Sequence, residues 1–81
     1  MNVKVLGSGC MNCKTLESRI REALLQLNIP AQVEKVQDIQ QIMSYGILST
    51  PGLVIDEKLV VQGRVPTVEV LKELITKEQH A

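Results

Sequence analysis

The two cysteines of the chain, Cys10 and Cys13, stand three positions apart in the stretch GSGCMNC, residues 7–13. Residues at this spacing are neighbours on a helical turn, so their Cα atoms can approach within the roughly 4.4–6.8 Å that a disulfide requires. Two thiolates can also bind a soft metal ion, and two thiols can simply pack as small apolar side chains. The spacing alone leaves a redox pair, half of a metal site and a structural role open.

The cysteines fall where a predicted strand, Asn2–Leu6, gives way to a predicted helix, Met11–Leu27, whose apolar residues recur at helical spacing. The first turn of a helix has free N–H groups and a partial positive charge, which stabilise a thiolate. This placement favours a reactive pair. We predict that Cys10 is exposed and attacks a substrate disulfide. Cys13, inside the helix and closer to the core, would then resolve the mixed disulfide.

The rest of the chain predicts a βαβ-α-ββα order. Five further elements follow from the apolar pattern and from capping and turn residues: a strand over 31–36, a short helix between Asp38 and Gly46, strands over 53–55 and 58–62 joined by Asp56-Glu57, and a last helix capped by Thr67. The crossover makes the first two strands parallel. We therefore expect an α/β fold with a four-stranded mixed sheet flanked by helices, as one domain over 1–77 with a frayed tail over 78–81.

Composition argues against several functional classes. The formal net charge is zero and Tyr45 is the single aromatic residue, so neither a basic footprint nor a stacking surface for nucleic acid is expected. No apolar stretch is long enough to span a membrane, and the N-terminus does not resemble a signal peptide. We therefore expect a cytoplasmic protein. In a reducing cytosol two cysteines are more often catalytic or metal-binding than structural.

A second motif, Thr50-Pro51, stands directly before the third predicted strand. Proline cannot donate to a strand ladder there, and an X–Pro bond is the realistic site for a cis peptide. The CxxC after strand one, the Thr-Pro before strand three and Gly63 after strand four together resemble the thioredoxin-like pattern. The resemblance covers residues 2–76 and is closest to the small prokaryotic thioredoxin/glutaredoxin-like proteins described as redox-active disulfide proteins.

The resemblance implies a minimal thioredoxin-like fold and a thiol–disulfide oxidoreductase that reduces disulfides. It also implies a cis Pro51 beside the cysteines, with the main chain of Thr50 binding the substrate backbone. We expect Met11, Asn12 and Gly63 to line the same substrate surface. The expected partners are a disulfide-containing protein or small molecule and a separate disulfide reductase, because the chain shows no flavin or nicotinamide site. No cofactor or metal and a monomeric state are expected.

Three features depart from the family pattern. Met11-Asn12 separates the cysteines, where thioredoxins have Gly-Pro and many glutaredoxins Pro-Tyr. Gly9 replaces the aromatic residue that precedes the first cysteine. Six positions before the first cysteine, thioredoxins bury an acidic residue that assists proton transfer, and this chain has Lys4 there. The sequence therefore offers no candidate for a carboxylate base.

Two other functions use the same CxxC. The first is a carrier of Cu(I) or Zn, because heavy-metal-associated domains also place a CxxC between strand one and helix one. It is disfavoured by Ser8, where those domains carry Met, by the predicted C-terminal helix and by the Thr-Pro motif. The second is a redox-responsive or metalloid-responsive adaptor whose partner recognises the oxidation state. Sequence does not separate such a sensor from a reductase.

Overall fold

The computed structural model describes residues 1–80. Seven elements follow one another along the chain: β1 Asn2–Leu6, α1 Met11–Leu27, β2 Gln32–Val36, α2 Ile39–Ser44, β3 Gly52–Ile55, β4 Lys58–Gln62 and α3 Val68–Gln79. This is the βαβαββα order that the sequence predicts. Strand and helix bounds differ from the predicted ones by one or two residues, at the start of β2 and β3 and at the ends of the two shorter helices.

The four strands form one mixed sheet in the order β2-β1-β3-β4. β1 pairs with β2 in parallel and with β3 antiparallel, and β3 pairs antiparallel with β4. In the last pair Leu53 faces Val61 while Val54 faces Leu59, so β4 carries one extra residue, Val60, at a β-bulge. β1, which leads into the cysteines, is therefore an interior strand held on both sides.

The two faces of the sheet bury separate apolar clusters, as the alternation of side chains along a strand requires. α1 and α3 cover the first face, where eleven residues are buried together: Val3, Val5, Leu16, Ile20, Ala23, Leu24, Leu53, Ile55, Val61, Leu71 and Ile75. α2 covers the other face, which buries Leu6, Val36, Ile42 and Val54. Arg19 donates to the carbonyls of Val65 and Pro66 at 3.2 and 3.1 Å, and thereby ties α1 to the loop before α3.

The β3–β4 turn is tight and uses two non-glycine residues in the left-handed region, Asp56 at φ 48° and Glu57 at φ 70°. Side-chain contacts hold both residues in place. The Asn2 N–H donates to Asp56 Oδ1 at 2.8 Å, and the Lys4 ammonium and Tyr45 hydroxyl donate to the Glu57 carboxylate at 2.8 and 3.0 Å. These contacts anchor the turn to β1 and α2.

The last helix continues two residues past position 77, where the ordered domain was predicted to end. Glu78 lies within α3, and the Lys58 ammonium donates to its carboxylate at 3.3 Å. The His80 N–H still donates to the Thr76 carbonyl at 3.2 Å. The start of the predicted tail over 78–81 is thus helical, because this ion pair connects it to β4. The domain limits stay a prediction, and Ala81 lies outside the described residues.

Gly7 makes the close junction between β1 and α1. Its N–H donates to the Val36 carbonyl at 3.0 Å, so it extends the pairing of β1 with β2. A Cβ atom at Gly7 would overlap the Cys13 sulfur. Gly7 is therefore required for space, whereas Gly9, at φ 86°, adopts a backbone conformation that favours glycine.

This contact generates a prediction about stability. Gly7→Ala should destabilise the reduced protein by about 1–3 kcal/mol, because a buried methyl group has to displace a packed side chain. In a Cys13→Ala background, Gly7→Ala should lower the free energy of unfolding much less, because the sulfur that the new methyl group would displace is absent. Denaturant unfolding of the four proteins under reducing conditions measures this coupling.

Ser8→Ala, at an exposed neighbouring position, is the matched control and should change the free energy of unfolding by less than about 0.5 kcal/mol. An equal cost for Gly7→Ala with and without the Cys13 sulfur would show that this packing does not constrain the junction.

Candidate active site

Strand pairing brings three loops to one end of the sheet. Leu6, the last residue of β1, faces Gly52, the first residue of β3, and Gly52 in turn faces Gln62 at the end of β4. The segment that follows β1, the proline before β3 and Gly63 after β4 therefore lie at the same end of the sheet. Neighbouring strands lie about 4.8 Å apart. The structure thus places the loops that contain Cys10, Pro51 and Gly63 next to the ends of adjacent strands.

Cys10 and Cys13 form a disulfide, with Cα atoms 5.1 Å apart. Cys10 is exposed and is the N-cap residue of α1, and its sulfur accepts a hydrogen bond from the Cys13 N–H at 3.2 Å. Cys13 belongs to the first turn of the helix and is only 5% exposed. The pair can therefore open and close at a helix terminus without any change in the fold, with one sulfur facing solvent and the other facing the core.

The loop before β3 is fixed to the end of β4. The Thr50–Pro51 peptide is cis, as the resemblance implies, with Pro51 buried and Thr50 exposed. The Gly63 N–H donates to the Pro51 carbonyl at 2.8 Å. Gly63 has a φ of 74°, and a Cβ atom there would overlap the Ser49 hydroxyl. Gly63 therefore shapes this loop and fixes it to the end of β4.

An apolar surface without charged residues lies on the α2 side of Thr50, and the sequence predictions missed most of it. Ile39 and Met43 of α2 line an open cleft of about 470 Å³ together with Thr50 and Leu48, and Leu48 is 92% exposed. Met11, next to Cys10, is 77% exposed. Such exposed apolar side chains in a group mark an interaction surface. One sequence signal could have revealed it: no charged residue occurs between Asp38 and Asp56.

Lys4, which occupies the position of the acidic residue in thioredoxins, is engaged away from the cysteines. Its ammonium donates to the Tyr45 hydroxyl and to Glu57, each at 2.8 Å. The hydrogen bond to Glu57, followed by that to Tyr45, raises the pKa of Lys4 above its usual range. The hydrogen bond from Lys4, followed by that from the Tyr45 hydroxyl, lowers the pKa of the Glu57 carboxyl. Lys4 thus stabilises the hairpin turn and has no contact with the redox pair.

Two kinds of feature are absent from the described residues, 1–80. No group of three or more His, Cys, Asp or Glu side chains in this range lies close enough together to hold a metal ion. No helix in the same range is long and apolar enough to cross a membrane.

Comparison with known proteins identifies the family. The model of the thioredoxin domain matches residues 1–76. The chain is 38% identical to a thioredoxin of Methanothermobacter thermautotrophicus over 76 residues, which is 94% of this chain and 99% of the relative. It is 32% identical to a thioredoxin of Methanocaldococcus jannaschii over 71 residues, covering 88% and 81% of the two chains. The chain therefore belongs to the thioredoxin family and is a thioredoxin-type thiol–disulfide oxidoreductase with Cys10 and Cys13 as its redox pair.

Proposed function

We propose that Cys10 is the attacking thiol and Cys13 the resolving thiol in the reduction of protein disulfides. The observation that carries this assignment is the asymmetry of the pair. Cys10 is exposed at the helix N-cap with an N–H group directed at its sulfur, whereas Cys13 is 5% exposed behind it. A thiolate at the first position is stabilised by that N–H and by the helix dipole, and a substrate can reach only this sulfur.

The reaction then proceeds in two exchanges. The Cys10 thiolate attacks one sulfur of the substrate disulfide, so that a mixed disulfide forms and the other substrate sulfur leaves as a thiolate. The Cys13 thiolate attacks the Cys10 sulfur, which closes the Cys10–Cys13 disulfide and releases the second substrate thiolate. The substrate gains two electrons and the pair loses two. A separate disulfide reductase returns these two electrons to the cysteine pair.

We also propose that the protein works as a monomer in the cytoplasm.

Five residues are proposed to hold the substrate during this exchange. The main chain of Thr50 would pair with the substrate backbone, and Pro51 fixes its position through the hydrogen bond from Gly63. Met11 and Asn12 follow Cys10 and are both exposed, so they would contact the residues flanking the substrate disulfide. This arrangement supports an extended polypeptide as the ligand, since main-chain hydrogen bonding requires one.

The uncharged surface supports a protein as the substrate. Leu48 and Met43 stand on one side of Thr50 and Met11 stands at the cysteines, all largely exposed. A small disulfide would touch few of these side chains, whereas a polypeptide could cover them and release water from apolar area. We therefore propose that apolar segments of the substrate protein bind along the cleft beside α2.

Trapping tests the roles of the two cysteines. Reduced Cys13→Ser protein should form a stable mixed disulfide with a disulfide-bonded protein such as insulin, because Cys10 attacks and no thiol resolves the adduct. Cys10→Ser should form none, because Cys13 is shielded. Non-reducing electrophoresis and mass spectrometry detect the adduct. Adducts with Cys10→Ser but not with Cys13→Ser would reverse the assignment.

A substitution in the apolar surface tests the substrate class. Leu48→Lys should lower kcat/KM for insulin reduction about tenfold, because it removes roughly 1.4 kcal/mol of apolar contact in the transition state. The rate with the small aromatic disulfide dithiobis(nitrobenzoate) should not change.

Leu25→Lys is the matched control, since Leu25 is 74% exposed on α1 and lines a different cleft. It should leave both rates unchanged. Equal losses for the large and the small disulfide in Leu48→Lys would contradict a docking role for this surface.

A further inference from the structure

The environment of Cys13 poses a chemical problem for the resolving step. Cys13 must lose its proton before it attacks, because the thiolate is the nucleophile. Its side chain is 5% exposed, so bulk water has little access to the sulfur. The Gly7 main chain closes one side of it, as the overlap of a Cβ there with the sulfur shows. The proton therefore needs an acceptor inside the fold.

A small, partly open cavity of about 50 Å³ is lined by both Cys13 and Glu17. Its ionisable lining groups, apart from Cys13 itself, are Lys14 and Glu17 from α1 and Lys35 from β2. Glu17 is the one anionic group among them. The cavity is large enough for about three water molecules, and its polar lining can hydrogen-bond them. Cys13 and Glu17 thus border the same small volume, in which water can lie between them.

The placement of Glu17 leaves one of its oxygens available. Glu17 lies one helical turn after Cys13, and its side chain is 17% exposed. Arg21 donates to Oε2 through two nitrogens, at 3.1 and 2.9 Å. Oε1 has only the distant Lys35 ammonium, at 3.9 Å. Arg21 therefore fixes the carboxylate through one oxygen, and the second oxygen can accept a proton or a hydrogen bond from water.

We infer that Glu17 accepts the proton of Cys13, through water in this cavity, when Cys13 resolves the mixed disulfide. The inference rests on the proposed role of Cys13 as the resolving thiol. The S–H bond of Cys13 breaks as a proton moves to Glu17, and the sulfur attacks Cys10. The bond between Cys10 and the substrate sulfur breaks, and the substrate sulfur leaves as a thiolate. Glu17 then returns the proton to solvent.

The reaction with dithiobis(nitrobenzoate) separates the two exchanges, because each releases one coloured thiolate. In stopped flow with excess reagent, the first phase accelerates with reagent concentration and reports attack by Cys10. The second phase is independent of concentration and reports resolution by Cys13. Glu17→Gln should leave the first phase unchanged and slow the second at pH 7 by at least about tenfold. The difference in second-phase rate between Glu17→Gln and the unsubstituted protein should shrink as pH rises, because hydroxide replaces the carboxylate as the proton acceptor.

Charge alone predicts the opposite result. Removal of a negative charge beside Cys13 leaves Lys14 and Lys35, which favour the Cys13 thiolate. If Glu17 acted only as a charge, the second phase of Glu17→Gln would be unchanged or faster. Its rate would then not approach that of the unsubstituted protein from below as pH rises. Either result would overturn the inference.

Two further variants control for the ion pair and for the helix. Arg21→Gln keeps the carboxylate but removes the partner that fixes it, so it should slow the second phase much less than Glu17→Gln does. A slowing equal to that of Glu17→Gln would assign the effect to the ion pair and contradict the inference. Glu22→Gln changes an exposed carboxylate on the same helix and should alter neither phase.

The first phase distinguishes this inference from the proposed function. A normal first phase with an unaffected second phase in Glu17→Gln overturns the proton acceptor alone. A first phase that persists in Cys10→Ser and disappears in Cys13→Ser overturns the roles of the cysteines, and the inference with them.

Discussion

The start of helix α1 at Cys10 is the constraint on which the site depends. Because Cys10 is the N-cap residue, its sulfur accepts the Cys13 N–H, and because Cys13 is in the first turn, its sulfur packs against the Gly7 main chain. Both sulfurs then lie within bonding distance while one faces solvent and the other the core. Gly7 holds this start in place, since it bonds to β2 and leaves room for the sulfur.

The rest of the fold makes this helix terminus part of a surface. β1 is an interior strand of the sheet, so the loop that carries the cysteines lies next to the loop before β3. Hydrogen bonds from Gly63 to Pro51 and from Leu48 to Gln62, both 2.8 Å, fix that second loop to the end of β4. The apolar side chains around it belong to α2 and the adjoining loop, which cover the second face of the sheet only in part. The redox pair and the apolar surface beside Thr50 thereby lie at the same end of the molecule.

Much of this organisation could be predicted from local signals. Asp38 and Thr67 cap their helices with the predicted hydrogen bonds, and the periodic apolar residues of α1 are buried as expected, apart from the half-buried Leu27. The exposed Cys10 and shielded Cys13 also follow from their order at a strand–helix junction. These features depend on residues close together in the chain, where propensity and periodicity act directly.

Other features depend on contacts between distant segments, which no local pattern encodes. The space below Gly7 exists only because α1 packs against β1, and the partner of Lys4 is a turn residue more than fifty positions away. Ile39 and Met43 fit the same apolar pattern as Ile42, yet only Ile42 is buried. Glu17 reads as one half of a helical ion pair with Arg21. Helical spacing places it one turn from Cys13, but the cavity that both residues line forms only where β2 contributes Lys35.

The central claim is that Cys10 and Cys13 form a reversible two-electron couple within one chain. The most direct test is to equilibrate the metal-free protein in a graded series of dithiothreitol or glutathione redox buffers, quench with acid and count free thiols by alkylation and mass spectrometry. We predict a single transition between two free thiols and none, with the oxidised product a monomer that lacks two hydrogens. Stepwise loss of thiols to glutathione adducts or to disulfides between chains, with no intramolecular disulfide under oxidising conditions, would contradict the account.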